Sequence, residues 1–308
     1  MPEIVISEFM DLEAINFLKK DFDVLYDPNI VDDNELLIKN IKDAKALIVR
    51  NRTQVFGELL NSASMLSCIG RLGVGLDNID LVECEKRDIK VFPAIGANNR
   101  SVAEYVITTA MILLRKAYFS KSEMINGLWP RQECSGREIN DKVLGLIGFG
   151  QIARETAKIA IDLGLKVIAY DPFLQFESNV WVNVEKLDLD SVLKRSDIVS
   201  LHIPLNEQTK HLISGTRLKL MQSSGILINA ARGGVVDENA LVEALLKGEL
   251  AGAAIDVFES EPLSDTNASK FKNIDNLLIT PHIAGLTSES NTRVSFLTAQ
   301  TVAEFIAK

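Results

Sequence analysis

The chain has 308 residues, of which 47% are hydrophobic and 24% charged, and its formal net charge is −9. This length exceeds the size at which a single hydrophobic core usually keeps growing, so two domains are expected. The acidic balance without clustered Lys and Arg argues against a nucleic-acid partner, and the apolar stretches are too short for a membrane span.

Cysteine usage and the N-terminal segment indicate the compartment. Cys68, Cys84 and Cys134 are odd in number and far apart, and they form no C-x-x-C pair. We therefore expect thiols in a reducing compartment, with neither a disulfide framework nor a metal site. The start, MPEIVISEF, lacks the basic and apolar regions of a signal peptide. A cytoplasmic location is the resulting expectation.

Short apolar runs alternate with helical patterns in the first part of the chain. The runs EIVIS, FDVLY, ALIV, LSCIG and KVF are predicted strands, and helical segments such as DLEAINFLKK separate them. This alternation is typical of a doubly wound parallel sheet. A long apolar helix is predicted from Ser101 to about Arg115, with Ser101 as its N-cap and Glu104 completing a capping box. Its length and position favour an element between two domains.

A second series of strands and helices begins at KVLGLIG. Further strands are predicted at KVIAY, DIVSLH, GILIN, AGAAID and NLLIT. Because these runs are continuously apolar, they suit a parallel sheet that is covered on both faces. The tail after Thr287 has apolar residues at helical spacing, and it predicts a helix that packs back on the first domain. The fold class is therefore α/β, with two doubly wound parallel-sheet domains.

A glycine-rich turn follows the first strand of this second series. Gly148-Phe149-Gly150-Gln151-Ile152-Ala153 joins that strand to a helical pattern. The first glycine permits a tight turn, the second lets the backbone approach a pyrophosphate, and the helix N-terminus favours negative charge. The alternative is an ordinary glycine-rich turn, but the strand–turn–helix context favours a dinucleotide site.

The next strand, KVIAY, ends at Asp171, 21 positions after Gly150. A carboxylate there can accept hydrogen bonds from the adenosine ribose hydroxyls and would repel a 2′-phosphate. NAD is therefore the predicted cofactor, in preference to NADP. The alternative for Asp171 is a solvated carboxylate at the end of a strand.

Three later strands each deliver one ionisable residue just past their carboxyl end. Arg232 follows GILIN, Glu261 follows AGAAID, and His282 follows NLLIT. Ligands of open parallel sheets bind outside the carboxyl ends of the strands, so these side chains are expected to converge beside the cofactor.

The chemistry of the three residue types fits the oxidation of a secondary alcohol. His282 can take the hydroxyl proton, and Glu261 can bond the other ring nitrogen and favour the imidazolium. Arg232 can hold an α-carboxylate with its planar fork. The alternatives are a structural histidine and a surface salt bridge.

For the other two histidines, roles other than that of the base are predicted. His202 follows the strand IVSL and is expected to line the cofactor side together with Ile203 and Pro204. His211 is expected to serve local structure.

Several longer segments, in this order along the chain, resemble one family. They are GRLGVGLDNID, NNRSVAEY, GLIGFGQIA, SLHIPL, NAARGGVVDE, AAIDVFESEP and TPHIAG. Over nearly its whole length the chain resembles the D-isomer-specific 2-hydroxyacid dehydrogenases. The resemblance implies a flavodoxin-like substrate domain from residues 1–97 plus 286–308. It also implies a Rossmann-type NAD-binding domain from 98–285, an active-site cleft between the two domains, and a homodimer.

The resemblance also implies roles for individual residues. Arg232, Glu261 and His282 take the catalytic positions, and Asp256 approaches the nicotinamide carboxamide. Backbone groups around Val74 and Gly75 meet the substrate carboxylate. The further cofactor contacts implied are Gly148, Gly150, Gln151, Ile152, Asp171, Ala230, Ala231 and Gly285.

Additional arginines bear on the substrate. Arg50 and Arg52 follow ALIV, and Arg131 lies in GLWPR, so that these cations could bind a second anionic group. The patterns V-R-x-x-T-x-V and G-x-W-x-R resemble 3-phosphoglycerate dehydrogenases. The run LIVRNRTQV together with GRLGVGLDNID resembles bacterial (S)-sulfolactate dehydrogenases more closely.

Four alternatives stay open at this point. The arginines are ordinary surface charges, the substrate is 3-phosphoglycerate, the substrate is a monoanion such as glycerate or lactate, or the protein senses NAD(H) without catalysis. In each enzymatic case the partner is a small anionic molecule.

Overall fold

A computed structural model describes residues 2–175 and 178–308. The chain forms two compact units, Met1–Asn98 with Leu286–Lys308, and Asn99–Gly285. The strands are β1 Ile4–Ile6, β2 Val24–Tyr26, β3 Ala46–Val49, β4 Cys68–Arg71, β5 Lys90–Pro93, β6 Val143–Ile147, β7 Lys166–Tyr170, β8 Val184–Lys186, β9 Ile198–Leu201, β10 Ile226–Asn229, β11 Gly252–Ile255 and β12 Leu277–Ile279. The α-helices are α1 Leu12–Leu18, α2 Asn34–Ile41, α3 Gly57–Ser62, α4 Leu81–Lys86, α5 Asn99–Arg115, α6 Lys121–Ile125, α7 Gln151–Asp162, α8 Leu189–Arg195, α9 Gly215–Leu218, α10 Glu238–Leu246, α11 Asp265–Ala268 and α12 Ser288–Ile306.

The first unit is built on a five-stranded sheet in the order β2-β1-β3-β4-β5. Every pairing in it is parallel, which confirms the predicted doubly wound sheet. This is the flavodoxin-like strand order. The inner strands β1 and β3 are buried throughout, because their runs IVI and ALIV are apolar on both faces.

The C-terminal helix α12 completes the first unit, as its apolar spacing predicts. Thr287 caps it and forms a capping box with Ser290. The helix lies close to the sheet, because a Cβ added at Gly70 of β4 would come within 2.7 Å of a Thr298 methyl group and 2.8 Å of a Val302 methyl group. Gly70 is therefore required by this close approach.

The second unit contains a seven-stranded parallel sheet in the order β12-β11-β10-β9-β6-β7-β8. Counted within this unit, the first six strands follow the Rossmann order 3-2-1-4-5-6, and β12 extends the sheet. The strand order reverses between β6 and β9, where such sheets bind their ligands. Side chains of β10 alternate between two cores, with Leu227 in one and Ile226 and Ile228 in the other.

Two details of the long helix differ from the prediction. Helix α5 begins at Asn99, so Ser101 lies buried within its first turn and is not its N-cap. Glu104 forms an ion pair with Arg100 at 2.6 Å, one turn earlier on the same helix, instead of closing a capping box. The helix belongs to the second unit, where it packs on α7. None of the helices in the described residues combines the length and apolar character needed to cross a bilayer.

Candidate active site

The predicted cofactor and reaction residues of the second unit gather at one edge of its sheet. Gly148 follows β6, Asp171 follows β7, and His202 follows β9. Arg232 and Asp256 come after β10 and β11, and His282 comes after β12. Because the strands are all parallel, these residues lie at the same carboxyl edge.

The glycine turn after β6 is fixed by close contacts. Gly148 has a positive φ of 85°, and its N–H donates to the Tyr170 carbonyl at 2.8 Å. A Cβ at this position would lie 2.4 Å from the His202 carbonyl oxygen. Both the backbone conformation and the space therefore require glycine.

Gly150 is the N-cap residue of helix α7, and its surroundings bear on the predicted dinucleotide site. A Cβ built on Gly150 would meet nothing within 4 Å, so open space lies beside this backbone. Gln151 and Ile152 begin the helix, and their backbone lies in the first turn, where N–H groups have no partner within the helix. An open glycine at a twelve-residue helix's N-terminus fits the pyrophosphate of a dinucleotide.

Asp171 connects the glycine turn to the segment after β7. Its Oδ2 accepts the Phe149 N–H at 2.9 Å, and its Oδ1 accepts the Phe173 and Leu174 N–H groups at 2.9 and 3.2 Å. The carboxylate is therefore fixed in place at the carboxyl end of β7. This structural role was not apparent from the sequence.

His282 and Glu261 form a hydrogen-bonded pair. The distance between His282 Nδ1 and Glu261 Oε2 is 2.7 Å. The other carboxylate oxygen, Oε1, accepts the Phe258 N–H at 2.9 Å, which fixes the carboxylate plane. The imidazole is 44% exposed as a side chain, and Nε2 is the ring nitrogen that Glu261 does not bind. The pairing is the one predicted from the residue types.

The environment of Glu261 favours its ionised form. Burial alone would raise the pKa of the Glu261 carboxyl, but hydrogen bonds from His282 and the Phe258 N–H act against burial. Together with the nearby charges of His282 and Arg232, they bring this pKa below its ordinary value. The carboxylate can therefore stabilise a positive charge on the ring.

The loop that carries Arg232 packs tightly against the segment that leads to Glu261. A Cβ at Gly233 would lie 1.8 Å from the Phe258 carbonyl oxygen, so the two backbones touch at this glycine. The Arg232 guanidinium donates to the Ala231 carbonyl at 2.6 Å, and the Asn229 side chain donates to the Arg232 carbonyl at 3.0 Å. Ala230 connects β10 to this loop.

Asp256 is buried at the end of β11 and holds the loop of His282. Its carboxylate accepts the Ile283 N–H at 2.8 Å and the Ala284 N–H at 2.7 Å. Its main-chain carbonyl accepts the His282 N–H at 2.8 Å. Gly285 ends this loop and the second unit.

The two remaining histidines differ in their surroundings. Burial lowers the pKa of His202 to about 4, and its Nε2 lies 3.0 Å from Ser200 Oγ, so the ring is neutral at ordinary pH. Ile203 and Pro204 continue the segment next to Gly148. His211 Nε2 pairs with Glu259 Oε1 at 3.1 Å, a second histidine–carboxylate contact that sequence reasoning missed.

In the first unit, Arg50 is held by groups that the sequence did not reveal. The Glu8 carboxylate accepts the Arg50 and Arg52 N–H groups at 2.8 and 3.1 Å, and the Arg50 guanidinium donates to Asn291 Oδ1 at 2.5 Å. Burial lowers the pKa of Arg50, and the charge of Glu8 opposes that shift. The Arg52 guanidinium pairs with Asp32.

Val74 is partly exposed in the loop after β4, next to the half-buried Gly75. In the second unit, the exposed Arg131 lies two residues after Trp129, whose carbonyl accepts the Arg131 N–H at 2.8 Å.

The site defines a class of enzyme. A glycine turn at a helix N-terminus, an ordered acidic residue after the next strand, and a histidine–carboxylate pair at the same sheet edge are the elements of a nicotinamide-dependent dehydrogenase.

Comparison with known proteins narrows the class. Residues 107–284 match the family model "D-isomer specific 2-hydroxyacid dehydrogenase, NAD binding domain". The chain belongs to this family, and it is an NAD-dependent oxidoreductase of 2-hydroxy acids.

Individual relatives cover almost the whole chain. It is 48% identical to an (S)-sulfolactate dehydrogenase of Chromohalobacter salexigens over 98% of this chain and 97% of the relative. It is 36% identical to a D-3-phosphoglycerate dehydrogenase of Archaeoglobus fulgidus, over 97% of this chain and 56% of the relative. Among solved structures, D-lactate dehydrogenase of Aquifex aeolicus with NAD and lactic acid superposes with a TM-score of 0.84 at 29% identity, covering 99% of this chain and 95% of that one.

Proposed function

We propose that this enzyme interconverts a small D-2-hydroxy acid that carries a second anionic group, such as (S)-sulfolactate, with its 2-keto acid. The main observation in support of this reaction is the 2.7 Å contact between His282 Nδ1 and Glu261 Oε2 at the carboxyl edge of the sheet. The observation that favours the substrate is the 48% identity to a relative named for sulfolactate.

In oxidation, His282 is the base. Because Glu261 binds Nδ1, Nε2 is left to accept the proton of the substrate hydroxyl. Glu261 then stabilises the imidazolium. Bound NAD supplies the nicotinamide carbon that accepts the hydride. In reduction, His282 returns the proton to the carbonyl oxygen.

Arg232 binds the α-carboxylate and the neighbouring oxygen through its planar fork. Backbone groups of Val74 and Gly75 bind the same carboxylate. Asp256 faces the nicotinamide carboxamide, and Gly285 borders the cofactor.

The remaining cofactor contacts lie along the sheet edge. Gly150 admits the pyrophosphate, and Asp171 binds the ribose. The other contacts proposed are Gly148, Gln151, Ile152, His202, Ile203, Pro204, Ala230 and Ala231.

The second anionic group binds Arg50, with Arg131 as a further cation. Arg50 is half-buried, and Glu8 and Asn291 fix its main chain and guanidinium, so it is a preorganised cation and not a mobile surface charge. A phosphate in place of a sulfonate is the second candidate, and the 36% identity to a D-3-phosphoglycerate dehydrogenase favours it.

The test measures NADH formation with (S)-sulfolactate, 3-phosphoglycerate, D-glycerate and D-lactate side by side. Arg50→Gln should raise KM about tenfold or more for the dianionic substrate and leave KM for D-lactate within about threefold. Arg52→Gln is the matched control, because that guanidinium already pairs with Asp32. Equal activity on the monoanions and no response to Arg50→Gln would refute the second anion. Full turnover in His282→Ala would refute the base.

We also propose that the enzyme is a homodimer and that it is located in the cytoplasm. Large apolar side chains are exposed around α6, with Tyr118, Ile125 and Trp129 each more than 70% exposed, and such patches favour a protein partner. The cysteines are free thiols, which suits a reducing compartment. Light scattering of the wild type and of Ile125→Lys tests the dimer, since this variant should be monomeric.

A further inference from the structure

A chain of hydrogen bonds links helix α5 to the loop that carries His282. The Tyr105 hydroxyl lies 2.6 Å from Thr280 Oγ1, and this oxygen lies 2.6 Å from Asp256 Oδ1. Tyr105 and Thr280 are 175 positions apart in the sequence. All three residues belong to the second unit.

The donors and acceptors give this chain one direction. The Asp256 carboxylate already accepts the Ile283 and Ala284 N–H groups, and a carboxylate only accepts. Thr280 must therefore donate its proton to Asp256, which leaves its oxygen to accept from Tyr105. Burial raises the pKa of Tyr105 to about 12, so its hydroxyl remains a donor over the working pH range.

Asp256 in turn determines where His282 lies. His282 has a φ of 56°, in the left-handed region, where the backbone of a residue other than glycine is strained. The Asp256 carbonyl accepts the His282 N–H, and the Asp256 carboxylate accepts the next two N–H groups. This one residue thus offsets the strain of the backbone that presents the imidazole.

From these contacts, we propose that Tyr105 and Thr280 are positioning residues for the reaction. They orient the Asp256 carboxylate, which holds the backbone of residues 282–284 so that the His282 ring meets Glu261 on one side and the substrate on the other. The inference rests on the proposed function of His282 as the base. Neither Tyr105 nor Thr280 needs to touch the substrate or the cofactor.

Variants of the full chain test the proposal with saturating NAD and hydroxy acid. Thr280→Val removes the donor to Asp256 and should lower kcat about 10- to 100-fold, because small misplacements of a catalytic group have effects of this size. Tyr105→Phe removes one neutral hydrogen bond and should lower kcat about 3- to 10-fold. Thr280→Ser restores the hydroxyl and should keep at least about a third of wild-type kcat.

The matched control is Thr109→Val. Thr109 is a buried threonine one turn further along α5, and its hydroxyl donates to the Tyr105 carbonyl at 2.9 Å, outside the proposed chain. It should leave kcat within about twofold of wild type, because it removes a buried threonine hydroxyl without touching Asp256. An equal loss in Thr109→Val and Thr280→Val would overturn the proposal, since loss of any buried hydroxyl would then suffice.

Two further readouts separate positioning from general destabilisation. Hydrogen exchange of the Ile283 and Ala284 amides, measured without cofactor, should be faster in Thr280→Val and unchanged in Thr280→Ser. The kcat loss in Thr280→Val combined with Glu261→Gln should be smaller than the product of the two single losses, because both act through the His282 ring. Unchanged exchange, or losses that multiply, would overturn the proposal.

The two hypotheses can fail separately. If the wild type turns over no hydroxy acid, the proposed function is wrong, and the exchange measurement alone decides whether the hydrogen-bond chain holds the loop. If the wild type is active and His282→Ala is not, but Thr280→Val keeps full kcat, the proposed function stands and the positioning role is refuted.

Discussion

Replacing Glu261 by glutamine should be more harmful than deleting its side chain. Glu261 accepts the Phe258 N–H on Oε1 and the His282 Nδ1–H on Oε2. A glutamine has only one oxygen for these two donors. Turning its NH₂ towards the Phe258 N–H would leave donors facing each other, at a cost of about 1–3 kcal/mol. The glutamine oxygen should therefore face Phe258, and its NH₂ should face His282.

The consequence is a change of tautomer. With an NH₂ donor beside it, Nδ1 of His282 must be the acceptor, so the ring proton moves to Nε2, which can no longer take the substrate proton. The 1–3 kcal/mol preference corresponds to a factor of about 5 to 150 in population. In Glu261→Ala both tautomers are accessible. We therefore expect kcat/KM of Glu261→Gln to lie about tenfold or more below that of Glu261→Ala.

Initial rates of NADH formation at pH 7 to 8 measure this difference. NADH affinity serves as the control, since both variants should bind the cofactor like the wild type. If the glutamine variant is as active as the alanine variant or more active, the tautomer argument is wrong. The function of Glu261 would then be its charge alone.

Three further predictions follow from the same unit. Gly150→Ala should leave the melting temperature of the cofactor-free protein unchanged and weaken NADH binding about tenfold or more by titration, because its Cβ meets open space that the pyrophosphate would fill; unchanged affinity would contradict the pyrophosphate assignment. Gly233→Ala should lower the free energy of unfolding by about 1–3 kcal/mol in urea titrations, since its Cβ would lie 1.8 Å from the Phe258 carbonyl oxygen; Gly215→Ala, with a nearest contact of 3.4 Å, is the control. The folded-state pKa of Glu261 lies below its ordinary 4.5, so its stabilising contribution is present above pH 4.5 and is lost as the pH falls through the folded-state pKa. The melting temperature should therefore fall more steeply at acid pH in the wild type than in Glu261→Gln. Parallel curves of melting temperature against pH would exclude this contribution.

The regular core of the fold was predictable because its strands are apolar on both faces. The runs ALIV, GILIN and AGAAID were correctly predicted as strands of parallel sheets. The edge strand Val184–Lys186 was missed, because two of its three residues are charged and give no apolar run. The predicted start of α5 was wrong by two residues. Glu104 forms an ion pair with Arg100 on the helix surface and therefore does not close the predicted capping box. A local capping pattern cannot show such competition between side chains.

The features of the site likewise fall into some that the sequence predicts and some that it does not. The end of each strand is visible in the sequence, so the positions of Asp171, Arg232 and His282 at one sheet edge could be deduced. The hydrogen bonds that fix them could not, because they join distant segments. Tyr105 reaches Thr280 across 175 positions, and no local pattern signals that contact. The pairing of Glu261 with His282 was deduced only because the chemistry of a base demands a partner.

Three carboxylates of the site also hold loop backbones in place, and this structural role changes how their substitutions should be interpreted. Asp171, Asp256 and Glu261 each follow a strand of the second unit, and each accepts at least one backbone N–H group of the loops at this sheet edge. Replacement by alanine leaves those N–H groups without an acceptor, at about 1–3 kcal/mol for each buried group. Lost activity in an alanine variant therefore mixes loop displacement with lost chemistry. Asparagine at Asp171 or Asp256 keeps only one acceptor oxygen and turns its NH₂ towards an N–H donor, as glutamine would at Glu261, so neither the amide nor the alanine variant isolates the charge of these carboxylates.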